Sequence, residues 1–146
     1  MFSLRVEAEV RPTEDAGKVL KAITNLFHVD KHELIKEGRA YPLLVAESNR
    51  IKSLSKLHEV LRQDRILDTA RKMFESGVRG DTLRFKLHKQ SAYAGHVSFI
   101  HTDSESPLGP IIVNVRCDRI PELIDWLAPK TRGGRPLWER PPPEVH

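Results

Sequence analysis

The stretch Leu83–Phe99, LRFKLHKQSAYAGHVSF, decides the fold class. Its first half alternates strictly: Leu83, Phe85 and Leu87 are apolar, whereas Arg84, Lys86 and His88 are basic. An extended chain sends successive side chains to opposite faces, so this is a strand with one dry and one wet side. One-sided strands belong to antiparallel sheets covered on a single face, because parallel strands are buried on both faces and read as unbroken apolar runs. The end of the stretch, continuing into HVSFI, repeats the pattern with Val97 and Phe99 inward and His96 and Ser98 outward.

Working outward, the opening FSLRVEAEVR alternates Phe2, Leu4, Val6, Ala8 and Val10 with polar residues and is a second half-buried strand. Pro12 and Thr13 stop it. Thr13 is placed to cap a helix with Glu14 and Asp15 in its first turn and Val19, Ile23 and Leu26/Phe27 on its apolar face. KHELIKE and AYPLLVAES read as two strands around Gly38, with Pro42 at an edge or bulge. A helical region runs from about Ser53 to Glu75 and loses its apolar register near Gln63–Asp64, which predicts a kink or two helices. IIVNVR is a further strand, and Asp118 is positioned to cap a helix bearing Ile120, Leu123, Ile124 and Leu127. This irregular mixture, with short connections at Gly38 and Gly80, predicts an α+β fold: a largely antiparallel sheet with helices packed on one face.

Composition agrees with a single globular domain: 146 residues, 39% hydrophobic and 30% charged. After Pro129 the chain turns rich in Pro, Gly and Arg (KTRGGRPLWERPPPEVH), so the expected division is a domain over 1–129 and a Pro/Arg-rich arm over 130–146. No apolar run approaches the ~20 residues that cross a bilayer, and MFSLRVEAEV has charges where a secretory signal is apolar. One cysteine, Cys117, cannot form an internal disulfide. The expectation is a cytoplasmic protein with no membrane contact.

Net charge is +4, and residues 62–90 alone carry an excess equal to it, eight cations against four acids. Clustering of this kind is the electrostatic footprint of a nucleic-acid site. On the strand, Arg84 and Lys86, with Lys89 just beyond, suit phosphates; His88, Gln90 and Tyr93 suit sugars or exposed bases. Arg79 lies in the turn before them, and Arg62 and Arg65 are the candidates from the preceding helix. The bland alternative is a solvated strand face, together with helix charges that pair locally, as Asp68 and Lys72 can at i,i+4.

No catalytic constellation is present. His28, Asp30 and His32 have no second ligand pair with metal spacing. Asp118, Glu122 and Asp125 could serve a magnesium-dependent nuclease, but acids early in a helix are what its dipole favours anyway. No nucleophile elbow and no glycine-rich phosphate loop occur. The sequence therefore predicts a binding protein rather than an enzyme, with no cofactor and no metal.

Five blocks add a resemblance: VEAEVRPTEDAGKVLKAITNLF, LRQDRILDTAR, FKLHKQSAYAGHVSF, SPLGPI and LIDWLAPKTRGGRPL. Together they resemble a small archaeal conserved family grouped with predicted RNA-binding, exosome-related proteins, over roughly Leu4 to Leu137. The resemblance implies a fold similar to the ribosomal protein that binds the five-S RNA. It also implies homodimers that exchange an element between protomers, with RNA as the partner, and it carries no assigned reaction. It raises the basic-face reading above the solvated one by association, since fold alone does not fix function. The competing class is a protein-interaction module of a ribosome- or exosome-associated assembly, docking through the arm after Pro129.

Overall fold

The computed structural model describes residues 1–145. Its elements are β1 (Phe2–Glu9), α1 (Ala16–Thr24), β2 (Lys31–Ile35), β3 (Leu43–Ser48), a 3-10 turn (Ile51–Leu54), α2 (Ser55–Gln63) and α3 (Leu67–Ser76). They continue as β4 (Val78–Arg79), β5 (Thr82–Leu87), α4 (Lys89–Tyr93), β6 (Ile111–Cys117), α5 (Ile120–Leu127), β7 (Thr131–Arg132) and β8 (Arg135–Pro136). Six strands form one antiparallel sheet in the order β2-β3-β1-β6-β5-β4, and β7 and β8 form a separate ribbon. The fold is the α+β arrangement that the alternation predicts.

Alternation sets the faces. Leu4, Val6 and Ala8 of β1, Leu83, Phe85 and Leu87 of β5, and Ile111, Val113 and Val115 of β6 point into one core with Ile23, Leu57, Leu61, Phe74 and Leu123 of the helices. Their neighbours in sequence line the opposite face, where Arg5, Arg84 and Arg116 are exposed and Leu43 and Val45 of β3 are buried. Phe74, Phe85 and Phe99 meet with ring centroids 4.9 to 6.0 Å apart, tying α3, β5 and the 96–100 segment together. No helix among the described residues is long and apolar enough to cross a membrane.

Local chemistry moves several boundaries. α1 starts two residues later than Thr13 capping would place it, because Asp15 is the cap and its Oδ1 accepts from Gly17 N at 2.9 Å. The helical break falls at Asp64–Ile66: Arg65 takes a left-handed φ of 56°, Arg65 N donates to Arg62 O and Ile66 N to Leu61 O. That is a helix-ending motif in which glycine is the usual occupant. HVSFI is not a full strand, since a single bridge, Leu87 to Phe99, joins it to the sheet. After His88 the chain forms the short α4, capped at its start by His88 Nδ1 and at its end by Asn25, whose Nδ2 donates to Ala92 O and Tyr93 O at 3.0 Å. Arg119, not Asp118, is the N-cap of α5 and makes no side-chain cap bond, and Asp118 faces the N-terminal amine at 3.8 Å.

The Pro/Arg-rich end is laid back on the body. Gly133 and Gly134, both at positive φ, turn the β7–β8 ribbon, and Glu139 then meets Arg62. Arg119 Nη1 donates to Glu144 O at 3.1 Å, Pro143 is buried, and Val145 packs against the core.

Candidate nucleic-acid interface

β5 is next to last in the sheet, and its outer edge is only partly covered. β4 pairs with Leu83 and Thr82, Arg84 N donates to Gly77 O at 3.0 Å, and Ile100 N donates to Lys86 O at 3.0 Å. Between the end of α3 and the 96–101 segment an open cleft of about 580 Å³ remains. Arg79, Arg84, Lys86 and His101 supply its polar lining, and Met73 and Phe85 its apolar part. The end of α3 can come this close only because residue 77 is glycine: a Cβ there would lie 2.0 Å from Arg84 O. The Phe74–Phe85–Phe99 cluster stiffens the wall beneath, and Asp64 anchors the far side by accepting from Val97 N at 3.0 Å and meeting His96 Nδ1 at 2.9 Å.

Register extends the site across the opposite face of the sheet. Arg84 stands opposite Asn114, which stands opposite Arg5, then Glu47, then Lys31. The next row reads Lys86, Ile112, Glu7, Val45, Glu33, and a third reads Thr82, Arg116, Ser3. The face is therefore divided. Arg84, Lys86 and Arg116 make its β5–β6 half basic, while Glu7, Glu9, Glu33 and Glu47 dominate the β1–β3–β2 half. Arg5 at the border is already held by Glu7 at 2.6 Å. Arg116 and His101 escaped the sequence reading. Arg116 follows from the alternation of IIVNVRC once strand order is known, whereas His101 has no local signal.

The nine residues singled out from sequence do not form one surface. Arg79, Arg84 and Lys86 converge on the cleft. Gln90 and Tyr93 line a separate groove of about 270 Å³ with Thr13, Asp15, Lys18 and Val19 of the α1 region. His88 is half-buried and spends its Nδ1 on Ser91 N at 3.4 Å, so it caps a helix rather than faces solvent. Arg65 is exposed at the α2–α3 joint.

Two of the nine are corrections. Lys89 is 5% exposed, with Nζ donating to Glu9 O at 2.5 Å, Leu108 O at 2.7 Å and Glu14 Oε1 at 2.9 Å; it cannot meet a phosphate. Arg62 is half-buried and donates to both Glu139 oxygens, at 2.6 and 2.9 Å, and to the carbonyls of His58, Leu127 and Trp126. It closes the C-terminal strap onto the body. Its hydrogen bonds hold the Glu139 carboxyl below the usual carboxylate range.

The acids weighed as metal ligands have other partners. Asp30 pairs with Arg50 and accepts from Ser48 at 2.6 Å; these bonds hold its carboxyl below its ordinary value. Glu122 pairs with Arg119 at 3.2 Å and Asp125 with Arg71 at 2.9 Å. Burial pushes the Cys117 thiol up, which keeps it protonated and inert.

The fold and the cleft define a small α+β protein with one electrostatically divided sheet face and a basic cleft at the sheet's edge. Residues 3–117 match a family described as RNA binding. The chain is 49% identical over 144 residues to a UPF0201 protein of Metallosphaera sedula, covering 99% of each. It is also 49% identical over 146 residues to a UPF0201 protein of Saccharolobus solfataricus, covering 99% of this chain and 100% of that one. A crystal structure of a UPF0201 protein from Methanococcus jannaschii superposes with TM-score 0.82 at 36% identity, over 92% of this chain and 98% of that one. The chain belongs to the family described as RNA binding and, within the archaea, to the UPF0201 proteins.

Proposed function

We propose that this protein binds structured RNA and performs no chemistry of its own. Arg79, Arg84 and Lys86 take phosphates at the cleft, and Arg116 continues the contact onto the basic half of the sheet face. The observation that carries this reading is the convergence of those three cations, from β4 and β5, on one open cleft with a stiff aromatic wall. Membership of a family described as RNA binding supports it. The exposed Tyr93 ring and Gln90, in their own groove, suit a second contact with an unpaired base. The same reading includes the cytoplasmic setting expected from the lone cysteine and the charged N-terminus, and the finer relations that the sequence resemblance implies: likeness to the five-S-RNA-binding ribosomal protein, exosome association, and a homodimer exchanging an element.

Fluorescence anisotropy tests the site, with hairpin, duplex and single-stranded RNA at two salt concentrations. Arg79→Ala/Arg84→Ala/Lys86→Ala should lose affinity, and its salt slope should fall by about one unit per true phosphate contact. An unchanged slope sinks the assignment. A second reading, docking of a protein through the C-terminal strap, rests on Leu137, which is 53% exposed. Leu137→Ser should then abolish capture of that partner while leaving RNA binding intact.

A further inference from the structure

The geometry points to the β7–β8 ribbon as a second phosphate-binding element, acting on the same RNA as the cleft; the inference rests on the RNA-binding reading above. The ribbon lies outside the matched residues 3–117. Lys130, Arg132 and Arg135 are all exposed, and no acid occurs in the sequence between Asp125 and Glu139. Cations nearby are neutralised internally, Arg62 by Glu139 and Arg71 by Asp125 and Glu75. No carboxylate among the described residues pairs with the ribbon's three.

Pairing register sharpens the point. Arg132 stands directly opposite Arg135 across the two strands. Like charges directly opposite one another repel across a ribbon, and an anion lying over them relieves the repulsion. The ribbon is also preorganised. Gly133 and Gly134, at φ 59° and 79°, form a tight hairpin tip, and a Cβ on either would meet nothing within 4 Å, so the tip stands clear in solvent. Its base is fixed by the Thr131 hydroxyl on Asp68, by Leu137 N donating to Lys130 O at 2.8 Å, and by Arg71 donating to Ala128 O at 3.1 Å. A backbone held this way has little left to order on binding, so the cost falls on the cationic side chains alone.

Placement makes one ligand reach both sites. Asp68 lies in the first turn of α3, whereas Met73, Ser76 and Gly77 at its other end line the cleft. The ten residues of α3 span about 15 Å. Exposed Lys72 lies between, alongside two acids that already have partners, Asp68 with Thr131 and Glu75 with Arg71, so a phosphodiester backbone following α3 meets cations at both ends and one on the way. Contacts of this kind fix position and carry no sequence information.

The test compares wild type, Lys130→Ser/Arg132→Ser/Arg135→Ser, and Arg132→Glu alone, on one labelled RNA hairpin and a sequence-scrambled hairpin across a salt series. The triple variant should keep the wild-type melting temperature, weaken both hairpins equally and flatten the salt slope by about two to three units. Arg132→Glu, a single exposed change, should weaken both hairpins as well. Wild-type affinity and slope in both variants, with binding still lost in the cleft variant, overturns the ribbon alone. If wild type binds neither hairpin at low salt, the RNA-binding reading falls and the ribbon with it.

Discussion

The Lys89 ammonium stands 2.9 Å from Oε1 of Glu14, with the two side chains only 7% and 12% exposed. Two backbone carbonyls, from Glu9 and Leu108, complete its donors. One buried cation thus joins the end of β1, the approach to α1 and the loop before β6. Removing one member of a buried pair leaves the other charge uncompensated, typically at about 3–5 kcal/mol. Lys89→Ala should therefore destabilise the protein by about 3 kcal/mol in urea unfolding. Its folded fraction should keep wild-type RNA affinity. A stable Lys89→Ala protein with weakened RNA binding would return this residue to the interface.

Lys89 also shows where sequence reading stops. Alternation in FSLRVEAEVR, TLRFKL and IIVNVRC fixes three central strands and their dry faces, because that signal needs only the period of a strand. The break near Asp64 is legible for the same reason. Burial of a lysine is a long-range fact: its partners lie 80, 75 and 19 residues away. In KLHKQ, the period of two puts Lys89 on the dry side with Leu87 and Lys86 on the wet side, but nothing local supplies the partners that let a lysine seal the core's rim. Strand order is equally invisible, and it alone brings Arg116 beside Arg84 and puts Glu7 in the row of Lys86. Arg62 looked available because its partner, Glu139, sits in the segment expected to be an arm.

Gly77 offers a contrast with Gly80. A Cβ at residue 77 would lie 2.0 Å from the Arg84 carbonyl, whereas at residue 80 it would meet nothing, although φ there is +59°. Gly80→Ala carries only the left-handed cost, about 1–2 kcal/mol. Gly77→Ala must push α3 away from β5, so it should cost about 2–3 kcal/mol. It should also weaken RNA binding by displacing Arg84. Thermal unfolding of the pair, with anisotropy on each, checks the order; a larger loss from Gly80→Ala would contradict it.

A pH dependence resides under the strap. His58 stacks on Trp126 with ring centroids 4.9 Å apart and planes at 23°. Burial, and then the adjacent Arg62 charge, hold its pKa below the ordinary histidine value. The folded state thus binds that proton less readily than the unfolded chain. Its contribution is complete above the ordinary value of about 6.5 and is lost as pH falls through it, until folded His58 also protonates. Glu139, held low by Arg62, acts in the same direction at more acidic pH. Between about pH 7.5 and 5.5, wild type should lose more stability than His58→Phe, which keeps the stack without the titration. Equal losses in the two proteins would remove His58 from the account.

The divided sheet face makes a distance-graded prediction. In the row Lys86, Ile112, Glu7, Val45, Glu33, the first acid is two strands from Lys86 and the second four. At the usual strand spacing those separations are about 10 and 19 Å. Screening at physiological salt has a length of about 8 Å, so a phosphate held at Lys86 feels Glu7 and scarcely feels Glu33. Neutralising Glu7 also releases Arg5, now held at 2.6 Å, toward the basic half. Glu7→Gln should tighten RNA binding about twofold, and Glu33→Gln should leave it unchanged. Neither change should move the melting temperature appreciably, because exposed ion pairs contribute about 0–1 kcal/mol. The Glu7 effect should fade near 1 M salt, where screening acts over about 3 Å. Equal tightening by both variants would mean that RNA lies across the whole face, and the cleft would lose its place as the centre of the footprint.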